Sequence, residues 1–494
     1  MPLQKPGKAY RLPQREYELT YRGKTPEEGV LSTEPGALTR IKSSGKKDGW
    51  ANLLISGDNL HGLCSLVAAK KKGRIRCADG SQGARLVYID PPFATNLEFR
   101  GRHRQKAYKD KMIGAEFVEF LRTRLILLRE LLTDDGSIFV HLDWKKAHYI
   151  KVVMDEVFGE ENFLNDIIWS YGGRGAKAVS GQFSRNHDII LWYKLGARHV
   201  FNQLSIERRV HKKGSGFKKD EDGRWFKTSP RGDYTDESVS ALAKEGRIYR
   251  TRNNSIRIKY FLREDGEYLI EDKLVGDVWD DIPDAMHLSE SEKTGYPTQK
   301  PEALLSRIIK SASMPGDIVL DAFAGAGTTL CVAEKLGRRW VGMDSGALAI
   351  HTIEKRLLTI KGSRQAEDPK LKYGRGPAAF ELLGVDCGCA GHENRSPEVR
   401  CAYSIDDNAD ECVVKIERFS SPGGPAKGTD ALSTVALDLD FNGEVFNYSS
   451  FHTRAELEER GFELRFPVDA VKGKVMLVFA DMYGNEKWFL GELV

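Results

Sequence analysis

Residues 318–344 read IVLDAFAGAGTTLCVAEKLGRRWVGMD. An apolar run, Ile318–Leu320, stops at Asp321 and enters a loop holding Gly325 and Gly327. A helix is expected to begin at Thr328-Thr329, and a second apolar run, RRWVGMD, closes on Asp344. Strand, glycine turn, helix, strand is the unit of a doubly wound α/β sheet. Glycines let the backbone approach a ligand, and the helix start offers unpaired N–H groups. An acid at the end of the second strand, roughly 20 positions after the first, is where such folds accept ribose hydroxyls. A glycine turn alone is equally an ordinary tight connection; Asp344 makes a nucleoside site the better reading. The loop has no Gly-Lys-Ser/Thr, which excludes a P-loop, and no GxGxxG, which weakens a nicotinamide dinucleotide. A nucleoside without phosphates suits it better, S-adenosylmethionine being one.

The same alternation runs upstream. NLLISGDNLHGLCSLVAAKKKG reads as a strand at Leu53–Ser56, a turn at Gly57-Asp58-Asn59 and a helix from about Leu60. Arg85–Ile89 reads as a buried strand, AEFVEFLRTRLILLRELL as a long helix on the sheet, and GSIFVHLDW as a further strand. NDIIWSY and DIILWYK are two more β-rich runs. Residues 196–290 differ, being basic and aromatic together with little helical periodicity, and read as an inserted module. The α/β signal returns with a helix in PEALLSRIIKSAS. The last part alternates as strands do (TVALDLDF) and contains a hairpin expected to turn at Tyr483-Gly484-Asn485. The expected organisation is a polar N-terminal arm over 1–50, α/β halves over 51–195 and 291–370 flanking the module at 196–290, and a β-rich domain over 371–494.

Composition bounds the answer. A chain of 494 residues is too long for one core. Its 40% hydrophobic and 30% charged residues describe a soluble globular protein rather than a fibrous or disordered one. The net charge of +4 neither demands nor excludes a polyanionic partner. No apolar run reaches the roughly 18–20 residues of a membrane span, and the N-terminus lacks the apolar core of a signal peptide. Seven cysteines, an odd number, fit a reducing cytoplasm. A cytoplasmic location without membrane contact is the expectation.

A second motif, LVYIDPPFATN at 86–96, ends a strand with Asp90, Pro91, Pro92 and Phe93. Two prolines cannot continue a ladder, so a strand terminator beside a solvated Asp is the plain reading. DPPF, DAFAGAGTT and YPTQKPEALLSRII together, in that order, are similar to the amino-group DNA methyltransferases, which methylate adenine N6 or cytosine N4. With DPPF ahead of the glycine loop and the insert between them, the chain resembles the β group, including type III modification subunits. The resemblance covers roughly residues 50–360. One departure is Ala322, where the family more often has Pro after the Asp. The fold implied is a Rossmann-like, S-adenosylmethionine-dependent methyltransferase fold, circularly permuted, with an inserted target-recognition module and a C-terminal β-rich domain. Its sheet would be mostly parallel and seven-stranded, with an antiparallel hairpin at one edge.

The resemblance also implies roles. Asp90 and the Pro91 carbonyl would accept the two hydrogens of an exocyclic amine, directing its lone pair toward the methyl sulfonium. Pro92 keeps that carbonyl rigid, and Phe93 offers a stacking face to a base extruded from the duplex. S-adenosylmethionine would lie among Asp58, Asn59, Thr298, Gln299, Lys300, Pro301, Asp321, Phe323, Gly325, Gly327, Thr328, Thr329 and Asp344. Asp58 reads equally well as a helix N-cap. Adenine N6 is the expected target, because an Asp before Pro-Pro usually accompanies adenine in such relatives. N4-cytosine methylation and a non-catalytic DNA-binding subunit are the alternatives, and RNA or protein amides a more distant pair of substrates.

Double-stranded DNA is the implied partner; a homodimer and a separate restriction subunit are further options. Residues 201–228 hold eight Lys or Arg against four acids, interleaved with Phe217, Trp225 and Phe226. Such charge pairs with phosphates. Lys212, Lys213, Lys218, Lys219 and Arg224 are the DNA candidates there, with Arg174 and Arg185 facing the target strand and the basic loop Arg100–Lys111 as a second surface. Cys387, Cys389, His392, Cys401 and Cys412 lack the paired C-x₂-C knuckles of structural zinc sites, so no metal is expected.

Overall fold

The computed structural model describes residues 17–93, 98–100, 106–109, 114–172, 183, 185–213, 215–386, 396–406, 410–422 and 428–491. A mixed sheet is built from β1 (Ala37–Ser44), β2 (Asn52–Ser56), β3 (Ala84–Ile89), β4 (Leu132–Leu142), β5 (Phe163–Ser170), β6 (His187–Lys194), β7 (Val278–Trp279), β8 (Ile318–Asp321), β9 (Arg339–Asp344), β10 (Phe380–Asp386) and β11 (Phe446–Asn447). Its order is β7-β5-β6-β4-β3-β8-β9-β2-β10-β1-β11. Strands β4, β3, β8, β9 and β2 pair parallel, while β6 runs antiparallel to both β4 and β5. The expected strands and the antiparallel hairpin of β5 and β6 are therefore present.

The helices of this layer are α1 (Asn59–Lys71), α2 (Ala115–Leu131), α3 (Ala147–Phe158), α4 (Glu302–Ala312), α5 (Thr328–Lys335) and α6 (Ala347–Leu358). Every residue of β3 and β8 is buried. A strand covered on both faces reads as a continuous apolar run, which is why ARLVYI and IVLD lack alternation. Val87 and Ile89 join one core cluster with Leu121 and Leu125 of α2, so Leu86 and Tyr88 face the other side. The central strands end at Ile89, Asp321, Asp344 and Ser56, which brings their C-terminal loops together at one edge of the sheet. That edge is where α/β sheets place ligands.

Three expectations need correction. Among the described residues the sheet has eleven strands rather than seven, because β7 adds to one edge and β10, β1 and β11 to the other. Residues 17–50 are not a free arm: β1 pairs antiparallel with β10, and Lys42 is buried between Glu354 at 3.1 Å and Glu486 at 2.5 Å. The polar composition hid this, since its charges are neutralised by residues far along the chain. The β-rich C-terminal portion is likewise not wholly separate, as β10 pairs parallel with β2. Its remaining strands form two small sheets around a core that includes Val414, Leu432, Leu464 and Leu477. The hairpin Lys474–Asp481 and Glu486–Gly491 turns through Tyr483-Gly484-Asn485.

Gln203–Gly276 form a separate compact unit. Two small antiparallel sheets and one helix, Asp236–Lys244 capped by Thr235, make it up. Its buried apolar residues are few, among them Phe226, Ile258 and Leu269. Strand β7, inside the stretch 196–290, pairs with β5 of the main sheet instead. No helix among the described residues is long and apolar enough to cross a membrane.

Candidate active site

A cavity of about 200 Å³ opens at the C-terminal ends of β2, β3, β8 and β9. It is lined by Asp90, Pro91, Pro92 and Phe93 from the end of β3, and by Asp321, Phe323, Gly325, Thr328 and Thr329 from β8 and α5. Asp58 and Asn59 join them after β2, Asp344 ends β9, and Thr298, Gln299 and Lys300 precede α4. Two of the residues expected to hold the cofactor do not line it. Pro301 is the N-cap of α4, and Gly327 is the N-cap of α5 at φ 73°. A Cβ on Gly327 would stand 2.7 Å from Ile353 Cγ1, so its role is close packing of the helix start.

The loop after β8 is held from both sides. Asp321 accepts from Phe323 N at 2.9 Å and from Thr329 Oγ1 at 2.6 Å, which closes the turn onto α5. Asp344 accepts from Gly325 N and Gly346 N, each at 2.8 Å. Burial raises the pKa of both carboxyls, and Asp321, with Asp90 and Asp344 nearby, is pushed up to about 7. Asp58 caps α1 through Leu60 N and His61 N, and its other oxygen lies 3.4 Å from Arg124 Nη2. Asn59 donates to the Ala322 carbonyl at 2.9 Å, so the Ala at the family's usual proline position still anchors the loop.

Gln299 is spent on structure. Its amide donates to Glu292 O at 2.8 Å and accepts from Thr294 N and Oγ1. Thr298 takes φ 59°, a left-handed conformation that costs a β-branched residue strain. The turn delivers Lys300, whose Nζ lies 2.9 Å from Asp90 Oδ2 and 5.1 Å from the Phe93 ring centre. Lys300 thus meets the DPPF carboxylate.

A polar cluster beneath Phe93 was not singled out in the sequence. His141, fully buried in β4, meets Tyr88 OH at 2.9 Å through Nδ1 and Asp188 Oδ2 at 3.1 Å through Nε2. Tyr171 OH donates to the other Asp188 oxygen at 3.3 Å. His141 also packs against Phe93 at 6.2 Å and the edge of Trp169 at 5.6 Å. The sequence signal was a histidine inside the otherwise apolar run GSIFVHL, which a buried strand tolerates only when both ring nitrogens are partnered.

The basic candidates are not gathered in this cavity. Arg185 is exposed, with its guanidinium 4.4 Å from the Trp144 ring centre. Lys212, Lys213, Lys218, Lys219 and Arg224 lie in the 203–276 unit. There Lys212 and Lys219 flank Glu264 at 3.5 and 3.6 Å, Lys218 meets Tyr249, and Arg224 pairs with Asp220 and Asp222. Arg174 and most of the loop 100–111 fall outside the described residues, as do Cys387, Cys389 and His392. Cys401 is half-buried and Cys412 buried, on adjacent antiparallel strands.

Among the described residues the lining holds four aspartates, Asp58, Asp90, Asp321 and Asp344, against one cation, Lys300. Such a cavity disfavours phosphates and suits a nucleoside carrying positive charge. Comparison with known proteins agrees with this chemistry. A family model described as DNA methylase matches residues 84–355, more than half of the chain. The type II methyltransferase M.EcaI of Enterobacter cloacae is 31% identical over 367 residues, covering 68% of this chain and 77% of that protein. A probable type III restriction-modification enzyme Mod subunit, HindVI of Haemophilus influenzae, is 26% identical over 397 residues, covering 62% of this chain and 50% of that subunit. The DNA adenine methyltransferase YhdJ of Escherichia coli is 27% identical over 259 residues, covering 52% of this chain and 71% of that enzyme. This chain belongs to the DNA methylase family, within the β group of N6-adenine and N4-cytosine methyltransferases.

Proposed function

We propose that the chain methylates the N6 amine of adenine in double-stranded DNA with S-adenosylmethionine as donor. The observation that carries this reading is the meeting of Asp90-Pro91-Pro92-Phe93 with the Asp321–Thr329 loop and Asp344 around one cavity. Residues present fit the donor: Asp344 can accept ribose hydroxyls, Gly325 at φ 50° brings its backbone to the cavity wall, and the aspartates suit a cation. When bound, the donor supplies an activated methyl group on a sulfonium.

This chain's residues then orient the acceptor. Lys300 holds Asp90 through Oδ2, which leaves Oδ1 to accept one amine hydrogen. The Pro91 carbonyl accepts the other, fixed by Pro92. Two acceptors localise on nitrogen a lone pair that the ring otherwise delocalises, and alignment supplies most of the rate. Phe93 stacks the extruded base, with His141, Tyr88 and Asp188 as its rigid backing.

Adenine is favoured over cytosine by the Asp of DPPF and by the likeness to YhdJ; N4-cytosine is the second reading, because Asp90 can accept from either amine. The basic 203–276 unit is read as the target-recognition module that interrupts a permuted methyltransferase domain. Lys212, Lys213, Lys218, Lys219, Arg224, Arg185 and Arg174 are read as phosphate or target-strand contacts. By analogy with the Mod subunit, a separate restriction subunit in the cytoplasm is a further partner, as is a second copy of the chain. Uptake of labelled methyl groups by DNA, and not by RNA or protein, tests the substrate class. Label that enters only RNA or protein would refute it.

A further inference from the structure

Tyr296 lines the cavity beside Asp90 and also a second, larger one of about 490 Å³. The second cavity lies among α4, α5, α6 and the start of the strand Leu432–Phe441, which carries Ser433. It carries the cations Lys293, Lys335, Lys355, Arg356 and Arg454 against two carboxylates, Glu292 and Glu302. Its charge is therefore opposite to that of the first cavity. Most of these cations are already engaged. Lys335 and Arg356 share Glu302 at 2.6 and 2.9 Å, Arg454 pairs with Asp430 and Glu458, and the exposed Lys293 pairs with Glu290.

Lys355 differs. Among the described residues its one hydrogen bond runs to Ser433 Oγ at 3.3 Å, and no carboxylate pairs with it. Burial alone accounts for a lowered Lys355 pKa. Ser433 Oγ also meets Nε2 of the buried His351 at 2.9 Å, and burial holds that imidazole neutral. A desolvated ammonium without a counter-charge is costly, and an anion in the cavity would offset that cost. The volume is within the range of small-molecule sites and exceeds what a bare inorganic ion fills.

We infer that this cavity binds a phosphate-bearing small molecule of sugar-phosphate size, with Lys355 and Ser433 receiving the phosphate. Its position also couples it to the first cavity. Arg356, in the second cavity's wall, donates to the Ala326 carbonyl at 2.8 Å and to Thr328 Oγ1 at 3.1 Å. Both belong to the loop that lines the first cavity. An anion beside Arg356 competes for those donors, so occupancy should weaken S-adenosylmethionine binding by about fivefold. This coupling rests on the reading of the first cavity as the cofactor site; the phosphate site does not.

The test is thermal unfolding of the full chain with ribose 5-phosphate, inorganic phosphate or ribose, at matched ionic strength, in the wild type and in Lys355→Met. Saturable stabilisation of the wild type by on the order of 2–4 °C, absent with ribose and lost in Lys355→Met, is expected. A response to ribose 5-phosphate greater than to inorganic phosphate identifies an ester as the ligand. Without ligand, Lys355→Met should unfold no earlier than the wild type, since it removes a half-buried charge that no carboxylate pairs with among the described residues. Stabilisation that persists in Lys355→Met, or none from either phosphate, would overturn the site. Calorimetric titration with S-adenosylmethionine reads the coupling separately. No cofactor binding there would remove the active-site reading and leave the phosphate result standing.

Discussion

Lys300 Nζ reaches to 2.9 Å from Asp90 Oδ2, so the turn before α4 fixes the carboxylate that ends β3. Both side chains are largely shielded from solvent, which makes the pair stronger than a surface ion pair and sensitive to loss of either member. On the proposed reading, Lys300 positions the acceptor for the amine.

Lys300→Met should lower kcat by about a hundredfold, the scale of a misplaced reacting group, while cofactor affinity changes much less. Steady-state kinetics on plasmid DNA, with calorimetric titration of S-adenosylmethionine, separates the two. An unchanged kcat would remove Lys300 from the mechanism.

Cofactor binding and chemistry should separate at two other positions. Gly325→Asp places a charged side chain at φ 50°, where the backbone meets the cavity, and should abolish S-adenosylmethionine binding. Asp90→Ala should retain binding and lose methyl transfer. Normal affinity in the glycine variant would contradict the assignment of the loop.

Asp321 should make stability fall as pH rises. Burial lifts its carboxyl from 3.8 to about 7 in the folded chain, so the native state holds this proton more tightly than the unfolded one. That contribution is complete below the unfolded value and is lost as pH climbs through the folded one. Stability should decline across that window by at most about 1.4 kcal/mol per pH unit from this group. Denaturant unfolding of wild type and Asp321→Asn gives the difference curve. Parallel pH profiles would contradict the shift.

Neutralising Lys212, Lys213, Lys218 and Lys219 together should weaken duplex binding and shallow its salt dependence. Each lysine that contacts a phosphate contributes about 0.9 to the slope of log affinity against log salt. An unchanged slope would mean that the contacts with Glu264 and Tyr249 are their whole role.

The parts of the site legible in sequence are local ones. DPPF and DAFAGAGTT each end a buried strand with a polar residue and a turn, and their chemistry lies within a few residues. Lys300 was legible only as a neighbour of the cofactor loop, because its partner Asp90 is set by the parallel pairing of β3 with β8. His141 and Asp188 sit on antiparallel neighbours, β4 and β6, so no spacing along the chain joins them. Strand β1 was lost for a similar reason: Lys42 looks solvated until Glu354 and Glu486 are brought onto it.

The central claim is that the chain methylates adenine N6 and that the transfer requires Asp90. Plasmid DNA treated with the chain and S-adenosylmethionine, digested to nucleosides and separated by mass spectrometry, tests it directly. The account predicts N6-methyladenine from the wild type and none from Asp90→Ala. N4-methylcytosine alone, or N6-methyladenine undiminished in the variant, would contradict it.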